Sequence, residues 1–517
     1  MKQKLYLIAI FLLSFLAGTL YFSAQYYNFG LSIDNLLFVF ANPLDGTDPA
    51  VIKMIVIDTL RYIAIPSIFV AIFITFLPKI LQHKWTLKCY DFIAKFLREL
   101  VSRNIGFSLC VSICFLIIAL NAVDLKISFS EYISNKFFRK VTYSSFYEDN
   151  YITPKISDFK APKNKRNLIV IFSESMESTF SGKNIPQVEW GGGFRHISHY
   201  SPHGELIPNL THFAQSGVNF SANSVIGGHF ESFGAKPTFP AITSYMCGFP
   251  PQFKGSLEHG FKRTNTTNAT CISDILDSQG YFQAIFTGAR STFGGYDEFA
   301  EDHHINAFDV RYFKENGYIS QEGHWGIEDA RLFALIKDFL RTYDKKEPFA
   351  LYISTVDTHF PGFVDREFCA DLDFAGEDFG GGNALYENAI RCGDRIIGDF
   401  VRFVQNSRFG ENTSIVILGD HLSMQRDFIP PNTHRYIYNA FINPRFSRKP
   451  TRNYVKNREL THYDFTALML DSLGFKVEAF GLGRNPLYGQ TLVGKYGLDE
   501  LNRQLKQPTR FWKFDSF

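Results

Sequence analysis

Two short apolar runs in this chain each end in side chains that can ligate a divalent cation. The first is Asn167-Leu-Ile-Val-Ile-Phe-Ser-Glu-Ser-Met-Glu-Ser-Thr179, where the apolar stretch stops at Glu174 between Ser173 and Ser175. The second, Ser414-Ile-Val-Ile-Leu-Gly-Asp-His421, stops at Asp420 and His421. Such runs read as buried strands, and the carboxyl end of a strand in an α/β sheet is where ligands and chemistry collect. A single carboxylate there is more often a cap or a solvated surface group. Two such strands, the second ending in Asp-His, supply the oxygen and imidazole donors that a divalent metal takes.

A metal site does chemistry only if something attacks, and Thr238 is the candidate. It lies in Gly234-Ala-Lys-Pro-Thr-Phe-Pro-Ala-Ile-Thr-Ser-Tyr-Met-Cys-Gly248, where small residues lead into a helix-like run that would aim N–H groups and the hydroxyl at an anion. A hydroxyl on a divalent metal loses its proton more easily and becomes a nucleophile. The same geometry would also make Thr238 a helix N-cap. Thr243 and Ser244 are competing hydroxyls. His359, in Val356-Asp-Thr-His-Phe-Pro361, follows another apolar run and could bind a phosphate oxygen or protonate a leaving alkoxide, with Asp357 as a weaker companion. Arg290, His324 and Trp325 lie in loops that could line the same cleft, Arg suiting an anion and Trp a glycerol or sugar face. His303 and His304 have no helical ligand spacing and read as surface residues.

The elements that must position these side chains alternate from Asn167 onward. Leu168–Phe172, Phe282–Phe286, Phe349–Ser354, Ser414–Leu418 and Tyr438–Ile442 read as strands. Asn209–Ser216, Cys271–Ser278, Asp329–Thr342, Tyr386–Gln405 and Tyr463–Leu473 read as helices, the last opening after Thr461 as N-cap and closing at Gly474. This is an α/β pattern that predicts a mainly parallel sheet sandwiched by helices.

With 517 residues and a formal net charge of +2, the chain can bury a large core and shows no sign of nucleic-acid binding. Leu5 to Phe22, Tyr62 to Leu77 and Ile105 to Ala122 each approach the roughly 20 apolar residues that span a bilayer. Val51 to Ile57 could extend the second. The first exceeds the apolar core of a signal peptide, and no small-x-small cleavage site follows it. Lys79, Lys84, Lys88, Lys95, Arg98 and Arg103 crowd the loop 79–104, whereas Asp34, Asp45 and Asp48 mark the loop before it. The positive-inside rule then puts 79–104 in the cytoplasm and everything after about residue 125 outside the inner membrane. The expected organisation is a transmembrane region 1–124, a juxtamembrane linker 125–165 that is aromatic and basic, and an extracytoplasmic catalytic domain 166–517. Segment 31–42 is too short to span and reads as an interfacial element. Cys247, Cys271, Cys369 and Cys392 are an even set in the exported part, where three pairings are open and Cys247–Cys271 with Cys369–Cys392 closes the shortest loops.

The motifs together resemble the alkaline-phosphatase-type sulfatase superfamily. Within it they are most similar to the membrane phosphoglycerol transferases, both lipoteichoic acid synthases and the branch acting on periplasmic glucans. The resemblance rests on Asn167-Leu-Ile-Val-Ile-Phe-Ser-Glu-Ser175, the Gly234–Gly248 stretch, Thr355-Val-Asp-Thr-His359, Tyr386-Glu-Asn-Ala-Ile-Arg-Cys392, Gly419-Asp-His-Leu-Ser-Met424 and Gly481-Leu-Gly-Arg-Asn-Pro-Leu487. It implies a sulfatase-like catalytic domain in which Glu174, Thr238, Asp420 and His421 hold one manganese or magnesium ion. It further implies that Thr238 is the nucleophile, that His359 contacts the substrate phosphate, and that phosphatidylglycerol is the donor and an envelope glycan the acceptor. The product would form through a glycerophosphoryl-threonine with release of diacylglycerol, in a multi-pass protein of the bacterial inner membrane whose catalytic domain faces the periplasm. Thr287-Gly-Ala-Arg-Ser-Thr-Phe-Gly-Gly-Tyr296 departs from the His, Trp and Arg that lipoteichoic acid synthases carry after the nucleophile segment, and Lys236 and Pro237 just before Thr238 depart from the family's usual small-residue run. The competing readings are a phosphoethanolamine transferase or a phosphatase or sulfatase of the same superfamily, and a non-catalytic envelope assembly protein.

Overall fold

The computed structural model describes residues 2–26, 53, 56–82, 104–127, 143–182, 205–222, 226–251, 268–292, 294–322, 326–372, 383–425, 429, 433–451, 455–507 and 509–512. They form two compact units, an N-terminal group of helices and a body from residue 142 onward.

In the N-terminal unit, helices cover Lys2–Tyr26, Ile65–Gln82 and Asn104–Ile127. Their outward positions are apolar, with Ile8, Leu12, Phe69, Phe73, Ile117 and Ile118 all exposed. Leu7–Gln25 and Val56–Leu77 are long and apolar enough to cross a membrane, and Ser108–Val123 is a shorter apolar stretch. The three expected spans therefore fall on helices. Small residues let these helices approach: a Cβ on Gly18 would stand 3.0 Å from Ser67 Cα. The Ser14 and Ser112 hydroxyls are 2.8 Å apart, and Ser108 Oγ donates to Ile74 O at 3.0 Å. Where all surfaces are apolar, close packing through small residues and hydroxyl bonds is what distinguishes one helix face from another. Segment 31–42 and all but the ends of loop 79–104 lie outside the described residues.

The body is built on a seven-stranded sheet. Its strands are β1 (Asn167–Ser173), β2 (Gly228–His229), β3 (Phe282–Thr287), β4 (Asn306–Phe308), β5 (Phe349–Ser354), β6 (Thr413–Gly419) and β7 (Ile437–Ile442), in the order β2-β7-β6-β1-β5-β3-β4. From β6 to β4 every pairing is parallel, whereas β7 runs antiparallel to β6 and β2 antiparallel to β7. Every residue of β1 is buried. Leu168, Val170 and Phe172 enter one core and Ile169 and Ile171 the other, as the two-residue repeat of a strand requires. Helices Thr238–Cys247, Ile272–Ser278 and Asp464–Ser472 pack on the first face, and Pro208–Ser216, Asp329–Thr342 and Asn383–Asn406 on the second. A strand covered on both sides must be continuously apolar, which is why the β1, β5 and β6 runs stand out in the sequence.

Three expectations change. The helix expected at Tyr463–Leu473 after a Thr461 cap spans Asp464–Ser472, and Asp464 Oδ2 accepts from Thr461 N at 2.8 Å, so the acid in the first turn secures the entry instead of a threonine cap. From Tyr143 onward the expected linker is part of the body. Helix Phe146–Asn150 buries Phe146 and Tyr147, and Tyr147 packs against Phe511 and Trp512. The aromatic residues there serve a core. Finally, His303 is not a surface residue: it is buried, with Nδ1 3.0 Å from Asp274 Oδ2, while His304 is exposed.

Disulfides join Cys247 to Cys271 and Cys369 to Cys392. The first ties the last residue of helix Thr238–Cys247 to the residue capping helix Ile272–Ser278.

Candidate active site

The register of β1 against β6 sets Ser173 beside Gly419, so the next residues, Glu174 and Asp420, leave the sheet side by side. Three contacts lock this arrangement. Asp420 N donates to Ser173 O at 3.2 Å, Ser175 N donates to Asp420 Oδ1 at 2.7 Å, and Ser175 Oγ donates to Glu174 Oε1 at 2.7 Å. Ser175 sits at φ +54°, a left-handed conformation that a side chain adopts only when its surroundings hold it there. Gly419 is equally constrained, since a Cβ on it would lie 2.0 Å from Met176 O. β5 contributes the third side. Thr355 Oγ1 accepts from Glu174 N at 2.9 Å, and Thr358 Oγ1 donates to Glu174 O at 2.5 Å.

Thr238 is the first residue of its helix, with Pro237 in the cap position, so it is not an N-cap. Its Oγ1 donates to Glu174 Oε2 at 3.0 Å and lies 3.5 Å from His421 Nε2. Thr243 and Ser244 are buried and bond to carbonyls of their own helix, Phe239 O and Pro240 O, so neither hydroxyl reaches this cluster.

The electrostatics of the cluster are unbalanced. His421 Nδ1 is 3.1 Å from Leu422 O, and a carbonyl only accepts, so Nδ1 carries the proton and Nε2 presents its lone pair inward. That nitrogen is 3.6 Å from Glu174 Oε1 and 3.4 Å from Asp420 Oδ2. Asp420 Oδ2 is buried without a hydrogen-bond donor. Glu174, Asp420 and His421 thus turn donor atoms toward one point, all within 4.8 Å of one another. Burial and the Glu174 charge push Asp420 up to about 7. Burial opposes a charge on His421, but Asp420, Glu174 and Glu231 outweigh it and raise its pKa. Both shifts say that the cluster lacks positive charge, and the donor set fits a hard-to-borderline divalent cation.

A surrounding layer holds the cluster in place. The His462 Nε2 lies 2.7 Å from Asp420 O, and burial drops His462 to about 4, so it donates as a neutral ring. Tyr245 OH donates to Gly419 O at 2.6 Å. Arg435 forms a buried ion pair with Glu177 and donates to Ser423 O at 2.8 Å, while Ser423 N donates to Glu177 Oε1 at 2.9 Å. The loops after Glu174 and after His421 are clamped together by that pair. Glu231 accepts from Leu422 N at 3.0 Å and pairs with Lys236 at 2.5 Å. Burial disfavours the Glu231 charge, but Lys236, with Leu422 N and His421, more than compensates and holds its pKa below the usual value.

His359 lies on the loop leaving β5, next to Thr358; its Nδ1 is 2.9 Å from Phe360 O, which leaves Nε2 as the basic nitrogen. Asp357 is buried against Asp329, whose N donates to Asp357 Oδ2 at 3.0 Å, while Asp357 N donates to Asp329 Oδ2 at 3.1 Å. Burial raises both carboxyl groups above the usual range, joined at Asp329 by the charges of Glu174 and Glu328 and at Asp357 by the charge of Asp329. Arg290 stands beyond the end of β3 at the same sheet edge, where its Nη2 donates to Glu322 Oε2 at 3.2 Å. His324 and Trp325 lie outside the described residues. The reading of the sequence passed over Glu177, Glu231, Arg435 and His462. Only Glu177, within the same serine-rich run as Glu174, carried a local signal.

The Sulfatase family profile matches residues 166–474. Phosphoglycerol transferase I of Xanthomonas axonopodis pv. citri (strain 306) is 29% identical over 282 residues, covering 53% of this chain and 36% of the relative. Phosphoglycerol transferase I of Escherichia fergusonii is 28% identical over 364 residues, covering 68% of this chain and 42% of the relative. This chain thus spans less than half the length of these curated relatives. The crystal structure of the lipoteichoic acid synthase LtaP from Listeria monocytogenes is 18% identical with a TM-score of 0.45, covering 66% of this chain and 80% of that one. Since the family match takes in well over half of the residues and contains Glu174, Thr238, Asp420 and His421, this chain belongs to the sulfatase family.

Proposed function

We propose that this chain is a phosphotransferase that moves glycerol phosphate from phosphatidylglycerol to a hydroxyl of an envelope glycan. The observation carrying this reading is the meeting of a half-buried threonine hydroxyl with inward-facing acceptors: Thr238 Oγ1 to Glu174 Oε2 at 3.0 Å and to His421 Nε2 at 3.5 Å. The name that the relatives share, phosphoglycerol transferase I, supports the identity of the transferred group. Glu174, Thr238, Asp420 and His421 would hold a manganese or magnesium ion. Such an ion lowers the pKa of a bound hydroxyl and stabilises charge on phosphoryl oxygens.

The chain's own residues account for the rest. Thr238 Oγ1 attacks the lipid phosphorus as the bond from phosphorus to the diacylglycerol oxygen breaks, and the hydroxyl proton leaves along its hydrogen bond to Glu174. His359 contacts the phosphate and, as imidazolium, gives the departing alkoxide its proton. An acceptor hydroxyl then attacks the glycerophosphoryl-threonine: His359 takes the acceptor's proton, the bond from phosphorus to Thr238 Oγ1 breaks, and Glu174 returns the proton to the threonine oxygen. Arg290 and Trp325 are the side chains for the glycerol or sugar. The apolar helices anchor the chain in the bacterial inner membrane as a multi-pass protein with the catalytic body outside, which brings the site to a lipid donor.

The test uses purified full-length protein in detergent with manganese, fluorescent phosphatidylglycerol and, separately, fluorescent phosphatidylethanolamine. Diacylglycerol released from the first alone is the expected result. Release from the second alone, or from neither, overturns the assignment.

A further inference from the structure

A second candidate site lies at the amino end of the central strands, opposite the carboxylate cluster. Asn167 opens β1 and Phe349 opens β5, and both line a cavity of about 480 Å³ together with Lys163, Lys165, Lys345 and Lys346. A seven-residue strand rising ~3.3 Å per residue puts this cavity on the order of 20 Å from Glu174. Its volume lies within the range of small-ligand sites, roughly 300–1,000 Å³.

The charge there is lopsided in the opposite sense to the metal-type cluster. Of the cavity's carboxylates only Glu347 is present, 3.7 Å from Lys345. Lys163 and Lys346 are exposed and have no ion-pair partner among the described residues. Ammonium groups gathered in one concavity repel one another unless an anion joins them, and field lines concentrate there. The frame bearing them is stiff. Arg166, directly after Lys165, is buried and donates to Glu411 O and Thr413 O, each at 3.2 Å. Asn412 Nδ2 donates to Lys165 O at 3.0 Å, Lys165 Nζ donates to Gln279 O at 2.5 Å, and Lys345 lies over the Phe282 ring at 4.5 Å.

We propose that this lysine-lined cavity binds phosphodiester groups of the acceptor chain that already carries glycerol phosphate, and so holds the product for further rounds of transfer. The idea rests on the function proposed above, because that reaction makes the polyanion. Lysine suits a phosphodiester as a compact point charge, and a concave cavity admits a thin substituted chain better than the flat surface of a bilayer.

The experiment places the full-length protein in nanodiscs of neutral lipid and measures binding of a fluorescent glycerol-phosphate oligomer, with an uncharged glucan oligomer as control. The wild type should bind the anionic probe, more weakly as salt rises, and not the control. The Lys163→Glu/Lys346→Glu double variant, with an unchanged Tm, should lose about tenfold or more in affinity. The probe should also protect Lys163 and Lys346 from acylation. Equal binding by the variant, equal binding of the glucan, or protection of the same lysines by anionic nanodisc lipid alone would each sink the proposal. Diacylglycerol release by the wild type, measured alongside, reports separately on the proposed function: a wild type that releases none yet binds the probe through these lysines disproves the transfer and leaves the cavity's ligand standing.

Discussion

The two ends of β1 carry opposite electrostatic problems. At the carboxyl end, Glu174, Asp420 and His421 are all buried and turn acceptor atoms toward one another. At the amino end, Lys163, Lys345 and Lys346 stand exposed to solvent around a shallow cavity. The first cluster cannot reach neutrality from its own residues without a proton or a cation, and little water is present to soften the imbalance. The second is bathed in counterions that do soften it. On the readings proposed above, the same strand carries a tight site for a small cation at one end and a loose, salt-sensitive site for a polyanion at the other.

Perturbations should accordingly bite hard at the carboxyl end and lightly at the amino end. The largest expected effect is from Thr238→Ala, which should cut diacylglycerol release by at least about 10³-fold with an unchanged Tm. An unchanged rate would move the nucleophile elsewhere. Breaking the Glu177–Arg435 pair comes next: Arg435→Met leaves a buried carboxylate alone and should cost about 3–5 kcal/mol in urea unfolding. A chelator should stop turnover and lower the Tm, since a ligand present at 100 times its Kd contributes ~2.7 kcal/mol of stability. A Tm indifferent to chelation and to added manganese would argue against a cation in the cluster.

A smaller effect tests the loop that carries His359. The Asp329–Asp357 pair has folded-state pKa values raised above the unfolded ones, so the folded protein binds the extra proton. Stability should then be fully present below about pH 4 as far as this pair is concerned, and decline as the pH climbs toward neutrality. Asp357→Asn should flatten that slope in Tm-versus-pH curves, and a slope that persists would assign it to other groups. Smallest of all, Lys163→Glu should change stability by no more than ~0.5 kcal/mol, as for a surface substitution free of packing. If it matched Arg435→Met in cost, the contrast between the two ends would vanish.

Much of this layout was legible in the sequence because the central strands are buried on both faces. β1, β5 and β6 appear as unbroken apolar runs, and the residues just after them meet in the candidate site. The meeting of Glu174 with Asp420 was implied but not fixed, because it depends on the Ser173–Gly419 register, a property of two segments far apart in the chain. The supporting residues were harder to see. Glu231, Lys236, Arg435 and His462 are ordinary polar residues whose roles exist only once the loops close over Asp420. Short elements such as β2 and β4, of two and three residues, hold too few positions for a periodic signal. His303 was misjudged because nothing nearby in sequence announces Asp274 as its partner. The aromatic residues Phe146 and Tyr147 were equally ambiguous, since a bilayer surface and a protein core attract the same side chains.

The bond between Cys247 and Cys271 lies at the far end of the helix that begins with Thr238. A rigid rod fixed at its tail keeps its tip aimed, so the covalent tie acts as a sight for the reactive hydroxyl. The nine residues behind Thr238 are all buried, so the tie reinforces an aim that packing already sets.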